Sequence, residues 1–163
     1  MKPAKTNMDI TWKIKSFNEL SVEELYQILH LRTAVFIVEQ NCPYQDVDGK
    51  DSESFHLMGI DETGGLAAYA RILPAGAAFS EVSIGRVLTS KKERKTGLGK
   101  ELMENAIQFI SSHFGAVPVR IGAQYYLMKF YSGFGFKISG EEYLEDDIRH
   151  IEMVLETEES RSV

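Results

Sequence analysis

Residues 94–99 are Arg-Lys-Thr-Gly-Leu-Gly, a basic turn with two glycines. It follows a strand-like apolar run, 82–89, and precedes a run with helical spacing that begins at Leu98. Gly97 and Gly99 have no Cβ, so the backbone can come close to a ligand there. The first turn of a helix has N–H groups without partners and a dipole that favours negative charge. The stretch therefore predicts a pyrophosphate site.

Basic side chains are concentrated at this turn although the whole chain is acidic. The chain carries 18 Lys and Arg against 24 Asp and Glu, a net charge of −6. Five of the basic residues lie close together at Lys91, Lys92, Arg94, Lys95 and Lys100. The net charge argues against nucleic acid or an anionic membrane as a partner, whereas the local concentration suits a polyanionic ligand. A surface turn with solvated lysines is the alternative that the glycines alone leave open.

The remaining composition is that of one globular domain. Hydrophobic residues make up 44% and charged residues 26% of the 163 residues, which predicts a single soluble domain. We place it at 9–156, with flexible ends at 1–8 and 157–163. A single cysteine excludes an internal disulfide, and the histidine spacing predicts no metal site. Without a secretory signal or a membrane-length apolar run, a cytoplasmic protein is expected.

The spacing of apolar residues predicts an α+β order in which a strand meander precedes a strand–helix–strand unit. Ser21-Val-Glu-Glu24 is a capping box that starts the first helix, and Gly64 and Gly65 mark a hairpin turn. The expected elements are strand 10–15, a helix of about four turns from Ser21, strands 55–60, 66–73 and 82–89, a helix from Leu98 to Gly115, strand 117–123, a short helix 126–131 and strand 151–155. This order implies a mixed sheet with helices on its faces.

Three stretches together resemble the GNAT family, the GCN5-related N-acetyltransferases. Residues 94–99 match the R/Q-x-x-G-x-G/A motif that holds the pyrophosphate of acetyl-coenzyme A in that family. Ile84-Gly-Arg-Val-Leu-Thr89 stands where its splayed strand lies, and Phe130-Tyr-Ser-Gly-Phe-Gly-Phe136 matches its F-Y-x-x-x-G-F element. The resemblance covers about 10–155 and implies the acyl-CoA N-acyltransferase fold, a mixed, mostly antiparallel central sheet with helices on both faces. Residues 31–48 also resemble the ElaA-like subgroup.

The resemblance implies direct acetyl transfer from acetyl-coenzyme A to a primary amine of a small molecule or protein. The expected cofactor-binding residues are Val87, Leu88, Thr89, Arg94, Lys95, Thr96, Gly97, Leu98, Gly99, Lys100, Gln124 and Tyr131. A backbone N–H near Val87 or Leu88 would donate to the oxyanion. Tyr131 would protonate the departing thiolate, and its alternative is a packed core aromatic.

The same resemblance places the acceptor pocket beside the first helix and the loop after it. The expected acceptor residues are Arg32, Phe36, Glu39, Tyr44, Asp46, Asp48 and Arg86. The general base is left open among Glu39, His56, Glu81 and water. Two acidic clusters would steer a cationic amine if they frame the acceptor side, and their alternative is a solvated surface that aids solubility. They comprise Glu39, Asp46, Asp48, Asp51 and Glu53, and Glu141, Glu142, Glu145, Asp146 and Asp147.

Two other functions stay open on the sequence alone. Arg32-x-x-x-Phe36, the acidic loop and Ser54-Phe-His56 loosely resemble acyl-homoserine-lactone synthases, which share the fold but lack a clean R-x-x-G-x-G motif. The second is a non-catalytic coenzyme A-binding module on the same fold. The complete glycine motif and Tyr131 favour an enzyme with an amine acceptor, and no motif decides whether the chain forms a homodimer.

Overall fold

One eight-stranded mixed sheet forms the centre of the computed structural model, which describes residues 9–157. The strands are β1 Thr11–Ser16, β2 Phe55–Ile60, β3 Leu66–Leu73, β4 Val82–Thr89, β5 Val119–Gln124, β6 Lys137–Ile138, β7 Tyr143–Glu145 and β8 Ile148–Leu155. The helices are α1 Val22–Arg32, α2 Leu98–Phe114 and α3 Met128–Ser132, with a π-helical segment, Thr33–Glu39, after α1. The strand order is β1-β2-β3-β4-β5-β8-β6, and β7 pairs with β8. Of the sequence's predicted flexible ends, 1–8 and 158–163 lie outside the described residues.

Helices pack on both faces of the sheet, as expected from the resemblance. On one face, Leu102 and Ala106 of α2 pack with Ala68 and Ala70, alternate residues of β3. On the other, α1 packs with Tyr69, which points the opposite way along the same strand. Because the β3 residues that face α2 are alanines, this helix can pack close to the sheet. In the described part of the chain, no helix is long and apolar enough to cross a membrane.

The predicted capping box starts α1. Ser21 Oγ accepts a hydrogen bond from the Glu24 amide at 3.0 Å, and Glu24 Oε1 accepts one from the Ser21 amide at 3.0 Å. The α-helix, however, ends earlier than the apolar spacing suggests, because the chain continues in the wider π-helical conformation. There the Gln40 amide donates to the Val35 carbonyl, five residues back, at 3.3 Å. Such π turns occur often at functional sites.

Later elements differ from the expectation at their ends. The fifth strand begins at Val119, because Pro118 has no N–H for the ladder. The short helix expected at 126–131 is divided into a 3-10 turn, Tyr125–Leu127, and α3. The meander of β2, β3 and β4 is antiparallel as predicted.

β4 and β5 are paired only at their beginnings. The parallel ladder contains Val82 opposite Val119 and Ser83 opposite Arg120, after which the strands separate. Farther along β4, Gly85 and Leu88 face Arg71 and Tyr69 of β3, so two residues of β4, Arg86 and Val87, oppose one of β3. This is a β-bulge, and Arg86 has φ +50° there. The bulge bends β4 away from β5 and opens a cleft between them.

Buried ion pairs connect α1, β3 and the loop over 42–54. The fully buried Arg32 lies 2.9 Å from Asp46 Oδ2 and 2.7 Å from Asp51 Oδ1. Arg71 of β3 donates to both oxygens of Asp48 at 2.8 Å and contacts Asp51 at 3.0 Å. These contacts hold the loop against the sheet, where it forms one wall of the cleft.

Arg86 joins this network from the bulge. Its Nε lies 2.8 Å from Asp46 Oδ1, its Nη2 donates to the Asp46 carbonyl at 3.0 Å, and its guanidinium lies 5.6 Å from the centre of the Tyr44 ring. Left-handed backbone costs a non-glycine residue about 1–2 kcal/mol, and these contacts offset that cost. Three arginines and three aspartates balance in charge, so the wall has no net charge from this network.

Asp48→Asn should lower the free energy of unfolding by about 3 kcal/mol at neutral pH, because it removes a carboxylate from the buried Arg71 guanidinium. Burial alone would raise the pKa of Asp48, but hydrogen bonds from Arg71 and the Lys50 amide hold that pKa below its ordinary value. The stabilisation from Asp48 is therefore complete above the unfolded pKa of about 3.9 and is lost as pH falls.

The difference between wild type and Asp48→Asn should accordingly shrink below about pH 4, as measured by chemical denaturation across pH. Asp147→Asn, at an exposed turn residue, is the matched control and should leave the unfolding free energy unchanged. A destabilisation by Asp48→Asn that is the same at all pH values would contradict the role given to this carboxylate.

Candidate active site

A cleft of about 1450 Å³ lies where β4 and β5 separate. It is bounded by β4 from Ser83 to Thr89, the π-helical segment, the end of β5 and the β7–β8 hairpin, and it reaches the N-terminus of α2. Pockets for single small ligands are usually about 300–1,000 Å³. The cleft therefore has room for a long ligand and a second molecule beside it.

The glycine turn forms the anion-binding end of the cleft. Gly97 has φ +89° and caps α2, whose first helical hydrogen bond runs from the Glu101 amide to the Gly97 carbonyl at 3.2 Å. The amides of 98–100 make no hydrogen bond with any described residue. A Cβ built at Gly99 would lie no closer than 3.8 Å to the rest of the protein, at Phe130. No packing contact requires glycine at 99, so that space is available to a ligand.

Ten of the twelve predicted cofactor residues line the cleft. They are Val87, Leu88, Thr89, Arg94, Lys95, Gly97, Gly99, Lys100, Gln124 and Tyr131. The other two, Thr96 and Leu98, do not line the cleft but support the turn. The Leu98 side chain is buried in the core below α2, and Thr96 Oγ1 donates to the Glu93 carbonyl at 2.6 Å.

Glu39 and Arg94 form a two-pronged ion pair between the π-helical segment and the glycine turn. One arm joins Arg94 Nη2 to Glu39 Oε2 at 2.7 Å, and the other joins Nη1 to Oε1. The hydrogen bonds from Arg94 lower the pKa of Glu39. In this arrangement Glu39 is a poor proton acceptor, because its charged form is already stabilised by the arginine.

His56 and Glu81, the other side chains considered as bases, do not line the cleft. His56 is fully buried, with Nδ1 2.7 Å from the Tyr69 hydroxyl and Nε2 2.9 Å from the Asp51 carbonyl, so both ring nitrogens are occupied. Burial also lowers the pKa of His56. Glu81 precedes β4, where the two strands are still paired, and hydrogen bonds from Arg120 lower its pKa. Neither residue can reach an acceptor in the cleft.

The predicted acceptor residues are divided between the cleft and the layer beneath it. Those that line the cleft are Phe36, Glu39, Tyr44, Asp48 and Arg86. Arg32 and Asp46 lie below, in the buried ion-pair network. The first acidic cluster is thus largely neutralised by arginine, which leaves it little attraction for a cationic amine. In the second cluster, Glu145 and Asp146 line the cleft, whereas Glu142 pairs with Arg149.

The β7–β8 hairpin supplies cleft residues that the sequence analysis missed. A two-residue turn with Asp146 at φ +50° and Asp147 at φ +62° connects the strands. The register places His150 opposite Gln124 of β5 and opposite Tyr143 of β7. All three line the cleft. The alternation of side chains along 150–155 could have drawn attention to His150, because it places His150 on the face of the strand that points away from the core. The sequence does not reveal, however, which strand lies beside it.

The absence of a side chain at Gly122 leaves room for the Tyr143 side chain of this hairpin. A Cβ there would be 2.8 Å from the Tyr143 hydroxyl and 3.7 Å from Phe79. The Cys42 thiol lies 3.4 Å from the Asp146 carbonyl and connects the loop wall to the hairpin. Within 9–157, no three His, Cys, Asp or Glu side chains come together in a way that would hold a metal ion.

Tyr131 lies at the floor of the cleft on α3, with 7% of its surface exposed. Burial raises its pKa, so the phenol is protonated at neutral pH. Among the described residues, none forms a hydrogen bond with its hydroxyl. Tyr131 is thus a core aromatic whose polar end is available to a ligand.

Comparison with known proteins agrees with this geometry. The sequence profile of the acetyltransferase (GNAT) domain matches residues 18–157. Protein ElaA of Escherichia coli is 44% identical over 149 residues, which cover 90% of this chain and 97% of ElaA. An acyl-CoA N-acyltransferase from Pseudomonas aeruginosa, known from a crystal structure, is 44% identical with a TM-score of 0.84, covering 90% of this chain and 99% of that chain. BjaI, a CoA-dependent acyl-homoserine lactone synthase, has a TM-score of 0.76 at 15% identity over 93% of this chain and 85% of its own, and shares the fold alone.

Proposed function

Because the chain belongs to the GNAT acetyltransferase family, and within it to the ElaA-like subgroup, we propose that it transfers the acetyl group of acetyl-coenzyme A to a primary amine. The amine attacks directly, in a complex with both substrates. One observation carries the proposal: a single cleft runs from the unpaired amides of α2, past the unpaired edge of β4, to the Tyr131 hydroxyl.

The donor end of the cleft suits the phosphates of coenzyme A. The amides of 98–100 can donate to the pyrophosphate, and Lys95 and Lys100 add positive charge beside them. Arg94 can exchange Glu39 for a phosphate oxygen, since guanidinium binds both groups in the same forked geometry. The edge of β4 beyond Ser83 has no strand partner in β5, so its polar groups can bond the amide-containing arm of the donor.

Two groups of this chain act on the transferred acetyl. A backbone N–H near Val87 or Leu88 donates to the carbonyl oxygen as negative charge develops on it. Tyr131 donates its proton to the sulfur as the carbon–sulfur bond breaks. Holding both substrates in one cleft supplies the proximity that the reaction needs.

Glu145 and Asp146 favour a cationic acceptor, either a small molecule or a protein side chain. Both line the cleft, and Glu145 is well exposed there. The fold shared with BjaI does not favour a lactone synthase, and the complete motif at 94–99 argues for the acetyltransferase. A coenzyme A-release assay over alkylamines, polyamines and lysine peptides tests the proposal. Release should occur with at least one cationic amine, whereas release with none would favour a non-catalytic coenzyme A-binding module.

Gly99→Asp should abolish acetyl-coenzyme A binding, because it places a fixed carboxylate in front of the α2 amides. Calorimetry measures the affinity. Gly99→Asn adds nearly the same volume without charge and should bind more tightly than Gly99→Asp. Normal binding by Gly99→Asp would refute the pyrophosphate site.

Tyr131→Phe should lower kcat by about 100-fold while changing acetyl-coenzyme A affinity little, because it removes a proton donor and keeps the ring. Steady-state kinetics and calorimetry together measure the two effects. Tyr126→Phe, at an exposed tyrosine on the rim of the cleft, is the control and should keep kcat near that of wild type. Unchanged turnover in Tyr131→Phe would remove this residue from the mechanism.

The kcat/KM for a cationic amine should fall several-fold as salt rises from about 0.05 to about 0.5 M, because salt screens the acidic rim of the cleft. An acceptor that is uncharged at the assay pH serves as the control and should show a flatter salt dependence. Equal salt dependence for the two acceptors would contradict steering by Glu145 and Asp146.

A further inference from the structure

We propose that His150 is the general base that deprotonates the acceptor, an assignment that rests on the proposed acetyl transfer. Its ring lines the cleft from β8, with 9% of the residue exposed. In the strand register His150 lies opposite Gln124 of β5, and the Gln124 side chain donates to Gln40, directly after the π-helical segment, at 3.3 Å. His150 lies in the part of the cleft beside Glu145 and Asp146, where we place the cationic acceptor.

The hydrogen bonds of His150 determine which ring nitrogen can accept a proton. Nδ1 lies 2.8 Å from the Ile148 carbonyl oxygen. A carbonyl oxygen only accepts, so Nδ1 must carry the hydrogen. In the neutral ring, Nε2 then has the lone pair. Nε2 lies 3.7 Å from Glu145 Oε2, which is beyond hydrogen-bond distance, and it forms no hydrogen bond with any other described residue.

The surroundings of the ring suit an imidazolium that forms during the reaction. Glu145 of β7, Asp146 of the turn and Glu152 of β8 line the same cleft as His150. Glu152 is paired with Arg120 of β5 at 3.3 Å, which leaves Glu145 and Asp146 as the acidic groups on this wall that are not paired with arginine. The neighbouring Arg149 is turned away, with its guanidinium paired to Glu142 and 4.1 Å from the centre of the Tyr125 ring.

Packing holds the ring in place. Tyr143 stacks on His150 with ring centres 5.7 Å apart and an angle of 26° between the rings. The Ile148 carbonyl fixes its rotation from the same strand. By contrast, the carboxylates of Glu39 and Glu81 are each paired with an arginine, and both nitrogens of His56 are occupied. Of the side chains compared as bases, His150 alone combines a free lone pair with a place on the acceptor wall.

The proton balance of the step is complete with these groups. The acceptor ammonium gives one proton to His150 Nε2, and the neutral amine forms a bond to the thioester carbon. As the carbon–sulfur bond breaks, the sulfur takes a proton from the Tyr131 hydroxyl. The acceptor nitrogen, now bonded to the acetyl carbon, loses a second proton, which returns to Tyr131 and restores the phenol. His150 then releases its proton to water, so the products are the amide, free coenzyme A and one proton.

His150→Gln tests the assignment with two acceptors in the full-length protein. One acceptor is an alkylamine that is protonated at neutral pH, and the other is an aromatic amine that is already neutral. His150→Gln should lower kcat/KM about 100-fold for the alkylamine and less than about 5-fold for the aromatic amine. The loss for the alkylamine should diminish as the pH approaches the pKa of that amine. Acetyl-coenzyme A affinity and melting temperature should match wild type.

Two further variants separate a chemical role from a structural one. Glu145→Gln should lower kcat/KM for the alkylamine by roughly 2- to 5-fold, because an exposed charge contributes little to the stability of a nearby imidazolium. His113→Gln, on α2 and outside the cleft, should leave both rates unchanged.

Equal losses for both acceptors in His150→Gln, or no loss for either, would overturn the base assignment while leaving acetyl transfer intact. A wild-type protein that acetylates neither acceptor, nor any amine of the wider panel, would contradict the proposed function itself, and the role of His150 would fall with it.

Discussion

The separation of β4 from β5 after two residue pairs is the constraint on which the site depends. Backbone N–H and C=O groups at a strand edge need partners, and an open edge is normally covered or paired. Here the edge of β4 beyond Ser83 is left to the cleft. A ligand with amide groups along its length can take the place of the missing strand. The helix that follows β4 then presents its free amides where the phosphates of that ligand would lie.

The bulge that separates the strands is held by buried charge. Arg86 adopts left-handed backbone, and its side chain is fixed by Asp46 and Tyr44. Removing one partner from such a network costs more than the network itself contributes, because an unpaired charge remains in the interior. Because the arginines and aspartates of this network balance in charge, they give the middle of the cleft no net charge. Positive charge is left at the glycine turn and negative charge at the β7–β8 hairpin, where a cationic acceptor would enter.

Much of the fold could be predicted because local signals were strong. The capping box at Ser21, the meander and the glycine turn each follow from a few neighbouring residues, and the resemblance supplied the overall order. The π-helical segment was missed, since apolar spacing does not distinguish it from a continuing α-helix. The neutralisation of Asp46, Asp48 and Asp51 depends on contacts between distant parts of the chain. The place of His150 depends on β8 lying beside β5, which no local pattern reveals.

We propose above all that the cleft between β4 and β5 binds acetyl-coenzyme A. Backbone amide NMR shifts during titration with acetyl-coenzyme A test it most directly, because they locate the ligand residue by residue. The largest changes should occur at Val87–Thr89 and at Leu98–Lys100, with smaller ones at Gln124. Saturable binding that leaves these amides unperturbed, or no binding at all, would show that the cleft is not the acetyl-coenzyme A site.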